Sequence, residues 1–404
     1  MYPLLLSRFY IPECKGMSVA PAPSNFSFPT PIRFGAGTIA ELPKRLSALG
    51  IRKPLVVTDP GMPKSPAFGL LKGALGEAGE GKSWVVFSGV RPNPHEADVV
   101  GAARAFIDGG CDGIIAFGGG SALDAGKATR LFVKKRDLKI KDFDWTGDWN
   151  GLTPCICIPT TAGTGSEVGR SSVIVPEGSV AKAFLFHPNL LANLVILDPE
   201  LTIGLPPFLT AATGADALTH CIESYTCPAF HPMCDGIALE GVHLVAEALP
   251  RAFRDGGDIE ARGMMLVAAS MGAVAFQKDL GAAHSLAHPL SSLFGLNHGA
   301  ANAFVLPSVM RFNASRAPGA YRRVAAAYGM DVAKIPDAQA DRLAVDFTAK
   351  FLSDLGLGGG LKAHGVQENR LDELADMAFA DPCHKTNIVP ATRNELLGIL
   401  REAL

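Results

Sequence analysis

The chain has 404 residues, enough for two domains, and its 48% hydrophobic and 19% charged residues predict a globular protein with a large interior. The formal net charge of -2 and the lack of a basic stripe with interleaved aromatic residues argue against nucleic-acid binding. No apolar run approaches the roughly 18 to 20 residues that a bilayer-spanning helix needs, so we expect no membrane association.

The first stretch, Met1 to Ser24, predicts no element of the fold. Its leucine run at 4–6 is too short for the core of a signal peptide, and no small-residue cleavage pattern follows. We interpret residues 1–24 as a leader or poorly ordered extension, or as the product of a start codon upstream of the true one at Met17.

From residue 28 onward, apolar strands alternate with amphipathic helices. This alternation predicts βαβ units and a doubly wound parallel sheet, with ligands bound at the carboxyl ends of the strands. The predicted strands are 54–58, 83–87 and 112–117, and the predicted helices are 38–49, 69–78 and 96–108.

Asp59 follows the first of these strands and is a candidate cofactor-binding residue. A carboxylate in this position can hydrogen-bond the 2′-hydroxyl of a ribose and repel a 2′-phosphate, which favours NAD over NADP. A turn former is an equally good interpretation of an aspartate followed by Pro60 and Gly61.

A glycine turn, Gly118-Gly119-Gly120, ends the third strand and is followed by Ser121 and Asp124. Glycines let backbone N–H groups approach a phosphate closely, and the amino terminus of the following helix adds a partial positive charge. The turn therefore suits a pyrophosphate. It lacks the Gly-x-Gly-x-x-Gly fingerprint, and a plain strand-to-helix turn uses similar residues.

A loop rich in hydroxyls and glycines follows the apolar strand that contains Cys155 and Cys157. These cysteines share one face of the strand, which favours packing, and all eight cysteines are interpreted as reduced thiols of a cytoplasmic protein. The loop can donate hydrogen bonds to a nucleotide, and Lys182 beyond it can reach a phosphate or ribose, although a plain turn and a solvated lysine are the alternatives. The hydroxyl residues are Thr160, Thr161, Thr164 and Ser166.

Past residue 205 the strands disappear and nearly every stretch predicts helix. We therefore predict an α/β nucleotide-binding domain at 25–205 and an all-helical domain at 206–404. Pro318 suits the first position of its helix, where no backbone N–H is needed. The predicted helices are 209–225, 235–248, 259–275, 282–293, 301–312, 318–328, 338–355, 371–378 and 393–404.

Histidines and a carboxylate at helical spacing predict a metal site in this second domain. Asp216 and His220 lie four residues apart on one predicted helix, and His284 and His288 lie four apart on another, shortly before His298. Imidazole and carboxylate ligands suit Fe(II) or Zn(II). A single histidine is better explained as a core residue, but three with this spacing are not. The spacing leaves open which of the three bind the metal.

Taken together, these motifs resemble the iron-containing, group III alcohol dehydrogenases. The resemblance extends from about residue 28 to the carboxyl terminus, and its motifs occur in the family's order. It implies a dehydroquinate synthase-like architecture, in which a doubly wound nucleotide domain precedes an all-helical metal domain and the active site lies in the cleft. The matching motifs are the glycine turn with Ser121 and Asp124, the loop 160–167, the run from Gly214 to Glu223, and His284, His288 and His298.

The resemblance also implies roles for individual residues. The metal ligands would be Asp216, His220, His284 and His298, and His288 would be a proton relay beside the nicotinamide and the substrate. The implied reaction is a reversible hydride transfer between NAD and a primary alcohol or ω-hydroxy acid, with Fe²⁺, or Zn²⁺ in its place, stabilising the alkoxide.

Two further stretches, 272–280 and 381–387, resemble the branch that contains 4-hydroxybutyrate dehydrogenases. That likeness places Phe276 and Lys278 near the substrate end of the pocket, where the lysine would pair with a substrate carboxylate. An exposed helix-end lysine is the alternative. The chain departs from the family at Asn387-Ile388-Val389, where Asn-Pro-Arg is usual.

Other interpretations fit the motifs less well. Maleylacetate reductases share the fold but generally lack the complete metal set, and glycerol dehydrogenases and dehydroquinate synthases carry different ligands. A non-catalytic nucleotide-binding protein is an alternative of another class, and the intact ligand set together with His288 argues against it. The expected partners are a small alcohol or aldehyde and further copies of the chain, as a dimer or larger homo-oligomer.

Overall fold

A computed structural model describes residues 28, 30–76, 79, 81–179 and 182–404, so the predicted extension at 1–24 lies outside the described residues. Six of the strands form one sheet in the order β1-β8-β5-β4-β2-β3, and all neighbouring pairs are parallel. The predicted parallel α/β fold is thus confirmed. The strands are β1 (Ile32–Phe34), β2 (Pro54–Val57), β3 (Val85–Phe87), β4 (Gly113–Gly118), β5 (Cys155–Pro159), β6 (Ser171–Ile174), β7 (Ala183–Phe186) and β8 (Leu194–Leu197).

Helices cover both faces of this sheet, which explains why its central strands are continuous apolar runs. Alternate side chains of β4 enter different cores. Ile114 and Ala116 pack with the helices at 96–108 and 120–134, whereas Ile115 and Phe117 pack with the helices at 42–48 and 66–75. The predicted helix at 38–49 begins as a 3₁₀ turn and becomes α-helical at Leu42. The helices are α1 (Leu42–Ala48), α2 (Pro66–Leu75), α3 (Glu96–Asp108) and α4 (Gly120–Lys134).

A small antiparallel hairpin of β6 and β7 stands apart from the main sheet, and the sequence did not predict it. The backbone N–H of Val173 donates to the carboxylate of Asp124 on α4, over 3.0 Å. The buried Lys127 side chain donates to the carbonyls of Ser166 and Ser171 on either side of the hairpin's start. Two charged residues of α4 therefore hold the hairpin in place.

After β8 the described chain is helical, as predicted. The long α5 and α9 pack against each other and against their neighbours, and they supply much of the site described below. The helices are α5 (Pro207–Thr226), α6 (Pro232–Arg254), α7 (Ile259–Ala275), α8 (Ala282–Phe294), α9 (His298–Ala314), α10 (Arg322–Ala327), α11 (Asp337–Asp354), α12 (Leu371–Ala380) and α13 (Arg393–Ala403).

The prediction that Pro318 begins a helix is wrong. Pro318 lies in a turn, and α10 begins only at Arg322. The carboxylate of Asp341 accepts the backbone N–H groups of Gly319 and Tyr321 at 2.6 and 2.8 Å, and Gly319 has a φ of 93°. Because these backbone N–H groups donate to a side chain on α11, residues 318–321 remain a turn, and α10 begins after them.

One helical segment also corrects the expectation about apolar runs. Residues Ile259–Lys278 form a stretch of 20 residues that is long and apolar enough to cross a membrane by length and composition alone. In the fold, 61% of the most apolar 18 consecutive residues of this segment are buried. The segment packs against α5 and α6 as a core helix.

Candidate active site

Four side chains from three helices bring their donor atoms together, and they are the four predicted metal ligands. Oδ1 of Asp216 lies 4.0 Å from Nε2 of His220, 3.8 Å from Nε2 of His284 and 3.5 Å from Nε2 of His298. Donor atoms about 2.1 Å from one ion lie roughly 3 to 3.5 Å apart, so the separations from Asp216 are close to those of a metal-binding set. Among the four residues, the donor atoms of Asp216, His220 and His284 all lie within 4.8 Å of one another. The donors, one carboxylate and three imidazoles, suit Fe²⁺ or Zn²⁺.

Glycines allow the helices to approach closely enough for this arrangement. Gly295 ends α8 in the left-handed conformation, with a φ of 65°, and the chain then reverses into α9 at His298. A Cβ on Gly299 would lie only 1.9 Å from the carbonyl oxygen of Ala212 and 3.1 Å from Cβ of Asp216. The contact of α9 with α5 therefore requires glycine at 299, and it places His298 beside Asp216.

The histidines are held in the neutral form that metal binding needs. Burial lowers the pKa of His220 and of His284 to about 4, against the opposing charge of Asp216, and burial lowers the pKa of His298 as well. Nδ1 of His284 lies 2.6 Å from Oε2 of Glu223. A proton on Nδ1 donates to this carboxylate and leaves Nε2 directed at the cluster.

Asn302 also reaches the cluster, from one turn beyond His298 on α9. Its Nδ2 lies 2.9 Å from Oδ1 of Asp216 and 3.3 and 3.4 Å from Nε2 of His284 and His298. The amide donates to the Asp216 carboxylate and so restricts its orientation. No role was assigned to Asn302 from the sequence.

The middle histidine of the series, His288, lies beside the cluster, with its ring centre 5.4 Å from that of His298, and makes its own carboxylate contact. Nδ1 of His288 lies 2.7 Å from Oδ2 of Asp381. The other oxygen of Asp381 accepts from the Ser285 hydroxyl at 3.0 Å and from the Cys383 backbone N–H at 2.9 Å. Burial alone would raise the pKa of Asp381, but the hydrogen bonds from His288 and Cys383 outweigh it and lower this pKa to about 2. Asp381 is therefore a charged anchor for one imidazole nitrogen.

A cavity of about 730 Å³ opens over these residues, between the helical part and the β6–β7 hairpin. Phe276 forms part of its wall, with its ring centre 5.2 Å from that of His220. The predicted site residues that line it are Asp124, Thr164, Ser166, His220, Phe276, His284, His288 and His298.

The glycine turn and the hydroxyl-rich loop lie side by side at the carboxyl ends of β4 and β5. The backbone N–H of Thr160 donates to the carbonyl of Gly118. A Cβ on Gly120 would lie 2.6 Å from Oγ1 of Thr164, and one on Gly119 would lie 3.5 Å from the side chain of Thr161. Gly120 begins α4 and Ser121 is its second residue, so the amino terminus of that helix opens on this junction.

Asp59 lies beside the same turn, at the end of β2. Its Oδ1 accepts the backbone N–H groups of Gly61 and Met62 at 2.9 and 3.0 Å, and its Oδ2 lies 3.5 Å from the Cβ position of Gly118. In the sheet, β3 lies on one side of β2 and β4 lies on the other, so the chain passes from β2 outward to β3 and then crosses back over β2 to β4. Asp59 and the glycine turn therefore occupy the switch point where open α/β sheets bind ligands.

Two of the residues predicted to bind the cofactor, Ser166 and Asp124, contact each other. The Ser166 hydroxyl donates to Oδ1 of Asp124, and Lys127 lies 3.4 Å from the same oxygen. The loop after β5 is thus fastened to α4 by these contacts. Lys182 directly precedes β7. Burial lowers its pKa, while the charges of Asp124, Asp216 and Asp381 raise it.

Most of the chain matches one protein family. The family model described as iron-containing alcohol dehydrogenase matches residues 29–199, and the model for the C-terminal part of the Fe-containing alcohol dehydrogenase family matches residues 210–404. The chain belongs to the iron-containing alcohol dehydrogenase family.

The similarity of this iron-containing alcohol dehydrogenase to individual proteins agrees with that family assignment. The chain is 40% identical over 386 residues to the 4-hydroxybutyrate dehydrogenase of Cupriavidus necator, an alignment that covers 93% of this chain and 98% of the relative. The crystal structure of 1,3-propanediol oxidoreductase matches with a TM-score of 0.89 at 32% identity, over 94% of this chain and 100% of the other. Sulfoacetaldehyde reductase from Bifidobacterium kashiwanohense in complex with NAD⁺ matches with a TM-score of 0.82 at 30% identity, over 94% and 98% of the two chains.

The structure of this alcohol dehydrogenase corrects the expectation for Lys278. Its ammonium group is buried and binds the carboxylate of Asp235 and the backbone carbonyl of Tyr225, and the side chain does not belong to the described lining of the cavity. The reason is that the chain turns sharply at Asp279, whose φ is 82°, so that residue 278 points back towards α6. Lys278 is therefore a structural residue, and its charge is already paired.

Three residues around the site were not assigned a role from the sequence. Glu223 follows His220 by three residues on α5, and Asn302 follows His298 by four on α9, so helical spacing was the available signal. Asp381 lies in a stretch that resembles the family, but its contact with His288 joins residues 93 positions apart. Only the folded chain reveals that pairing.

Proposed function

We propose that this enzyme is a metal-dependent, NAD-linked dehydrogenase that reversibly converts a primary alcohol or ω-hydroxy acid, with 4-hydroxybutyrate as a candidate, into the aldehyde. The observation that carries the proposal is that the three candidate ligand histidines gathered around Asp216 line the same cavity as His288, which is paired with Asp381. The 40% identity to a 4-hydroxybutyrate dehydrogenase supports this substrate class.

The residues present fit a divalent ion. The carboxylate of Asp216 lies 3.5 to 4.0 Å from the Nε2 atom of each of the three neutral imidazoles. Glu223 orients His284 through its Nδ1 atom, and the Asn302 amide donates to Oδ1 of Asp216. Asp216, His220, His284 and His298 would hold Fe²⁺, or Zn²⁺ in its place. When bound, the ion supplies Lewis acidity at a substrate oxygen, and NAD supplies the acceptor for a hydride.

His288 is positioned to move the proton of the reaction. Its Nδ1 is hydrogen-bonded to Asp381, so Nε2 is the nitrogen available to the cavity. During alcohol oxidation Nε2 takes up the hydroxyl proton, and the nearby carboxylate stabilises the resulting imidazolium. In the reverse direction the same nitrogen returns the proton to the substrate oxygen.

The cofactor would bind at the switch point of the sheet. The backbone of Gly118, Gly119 and Gly120 and the amino terminus of α4 suit a pyrophosphate, and Asp59 suits a ribose 2′-hydroxyl, which favours NAD over NADP. Thr161 and Thr164 adjoin the glycine turn and would contact the nucleotide. A homo-oligomeric state and a cytoplasmic location remain predictions.

The test uses purified enzyme loaded with Fe²⁺ or Zn²⁺, NAD and a series of primary alcohols and ω-hydroxy acids, with NADH formation as the readout. We expect turnover that a chelator removes and added metal restores. His284→Ala should lose both bound metal, by elemental analysis, and turnover. The control is His243→Ala, whose side chain on α6 is 51% exposed. Full metal content in His284→Ala would contradict the ligand assignment, and a metal-loaded wild type without alcohol or aldehyde turnover would contradict the reaction.

A further inference from the structure

A second group of side chains that can bind a metal lies beside the proposed reaction centre. The donor atoms of His288, Asp381 and Cys383 all lie within 4.8 Å of one another. Nδ1 of His288 lies 2.7 Å from Oδ2 of Asp381, and the thiol of Cys383 also forms a hydrogen bond with this carboxylate. Asp381 is thus the centre of the group. The group shares no residue with the four-ligand site, which is formed by Asp216, His220, His284 and His298.

The fold sets the positions of these three side chains. Oδ1 of Asp381 accepts the Ser285 hydroxyl at 3.0 Å and the Cys383 backbone N–H at 2.9 Å, while Oδ2 contacts His288. Cys383 lies two residues after Asp381, in a 3₁₀ turn. The donor atoms around a tetrahedral zinc ion lie roughly 3.3 to 3.8 Å apart, a spacing that small rotations of these side chains would reach. Because His288 and Cys383 both line the cavity, an ion can enter from it.

The charges around the thiol favour a bound cation. Burial raises the pKa of Cys383 well above its usual range, and the charges of Asp381, Glu223 and Asp279 raise it further. The same carboxylates attract a divalent ion, for the same electrostatic reason that they oppose a thiolate. A thiol that binds a metal ion loses its proton, so the ion takes the place of a positive charge that these carboxylates already favour.

The donor set also indicates which ion would bind. A thiolate, an imidazole and a carboxylate suit Zn²⁺, whereas the four-ligand site contains no sulfur. Three protein ligands leave a fourth position open towards the cavity. Because the ion must displace a thiol proton and has one protein ligand fewer than in the four-ligand site, we expect it to bind only when zinc exceeds one ion per chain.

We propose that His288, Asp381 and Cys383 form a second site for Zn²⁺, and that an ion bound there inhibits the enzyme. The inhibition, unlike the binding, rests on the dehydrogenase activity proposed above. The ion binds Nδ1 of His288, the proton of that nitrogen passes to Nε2, and the thiol proton is released. Nε2 then carries a proton and cannot accept one from the alcohol. Asp381 binds the ion and no longer stabilises an imidazolium.

The test of binding adds Co²⁺ to enzyme whose four-ligand site is filled with Zn²⁺. A thiolate bound to Co²⁺ gives a charge-transfer absorption band, and the four-ligand site has no sulfur, so the band reports the second site alone. We expect the band to saturate at one Co²⁺ per chain in the wild type. It should be absent in Cys383→Ser, which keeps a hydroxyl donor for Asp381. The control is Cys111→Ala, which removes a core thiol and should keep the band.

A titration with Zn²⁺ tests the inhibitory role. Turnover of the wild type should fall as Zn²⁺ rises above one ion per chain, and Cys111→Ala should respond in the same way. Cys383→Ser should need at least about tenfold more Zn²⁺ for half-inhibition, with each protein compared with its own rate before the addition. Equal sensitivity of Cys383→Ser and the wild type would overturn the proposal, since zinc would then act at another site.

The absorption band distinguishes failure of this inference from failure of the proposed reaction, because it does not depend on turnover. A wild type without the band, or a band that persisted in Cys383→Ser, would overturn the second site whatever the enzyme oxidises. A band that saturated without loss of turnover would overturn the inhibitory role. A wild type that showed the band but oxidised no alcohol would contradict the reaction and support the second metal site.

Discussion

Oε2 of Glu223 lies 2.6 Å from Nδ1 of His284, and the two side chains are only 4% and 2% exposed. The other oxygen of Glu223 accepts the backbone N–H of Ala283, at the start of α8. Burial raises the pKa of Glu223 to about 7, and these backbone hydrogen bonds act against that rise. The carboxylate thus joins α5 to α8 and sets which nitrogen of His284 carries the proton.

Glu223→Gln should therefore weaken metal binding without removing a ligand. An amide is a weaker acceptor for the His284 proton and introduces a competing donor, so we expect the dissociation constant for Fe²⁺ or Zn²⁺ to rise roughly 10- to 100-fold. Competition with a chromophoric chelator measures this. Glu247→Gln on α6, with a side chain that is 45% exposed, is the matched control. Equal metal affinity in the Glu223 variant and the wild type would show that this contact has no influence on the ligand.

Gly299→Ala should separate two of the metal ligands. The new Cβ would lie 1.9 Å from the Ala212 carbonyl, so α9 must move away from α5 and carry His298 away from Asp216. Overpacking of this kind costs about 1 to 3 kcal/mol of the free energy of unfolding, and bound metal should fall with it. Thermal unfolding and elemental analysis provide the two readouts.

The control for that change is Gly398→Ala on α13, where an added Cβ meets nothing within 4 Å. Alanine is favoured over glycine inside a helix by about 0.5 to 1 kcal/mol, so this variant should be as stable as the wild type or more so. If both variants behaved alike, the close contact at Gly299 would not be what positions the ligands.

Regular periodicity explains most of what could be predicted from the sequence. The apolar runs of β2, β4 and β5 and the four-residue spacing of Asp216 with His220 are local patterns, and the fold preserves them. The β6–β7 hairpin was missed although its strands are as long as β2, because β2 is fully buried whereas β6 and β7 lie on a partly exposed surface. A short strand without a continuous buried apolar run carries little periodic signal.

Contacts between distant parts of the chain explain what could not be predicted. Lys278 meets Asp235 across 43 residues, and this pairing decides that its ammonium does not reach the cavity. Asp381 meets His288 across 93 residues. This contact with Asp381 is what distinguishes His288, since its ring centre lies only 5.4 Å from that of His298. Helical spacing alone treats His284 and His288 as equivalent.

Asp59→Asn should change the choice of cofactor. The amide oxygen of asparagine can still accept the backbone N–H groups of Gly61 and Met62, so the turn after β2 is retained while the negative charge is lost. We expect the ratio of kcat/KM for NAD to that for NADP to fall about tenfold, because a 2′-phosphate is no longer repelled. Asp112→Asn, which likewise accepts backbone N–H groups but follows no candidate cofactor loop, is the control. If the ratio of kcat/KM for NAD to that for NADP were unchanged in Asp59→Asn, Asp59 would not be the residue that binds the ribose.

Asp381→Asn should slow the chemical step while leaving the metal site intact. Because the pKa of Asp381 is about 2, its carboxylate stays charged at neutral pH and favours an Nδ1 proton on His288. An asparagine offers no charge to stabilise the imidazolium and can donate to Nδ1, which selects the opposite tautomer.

We expect kcat to fall roughly a hundredfold or more in Asp381→Asn, with KM and metal content close to those of the wild type. Asp376→Asn, on the exposed end of an ion pair with Arg393, should leave kcat unchanged. A fall in metal content that matched the fall in kcat would mean that Asp381 supports the fold of the site instead. If kcat were unchanged with the metal retained, His288 would not depend on this carboxylate for its part in proton transfer.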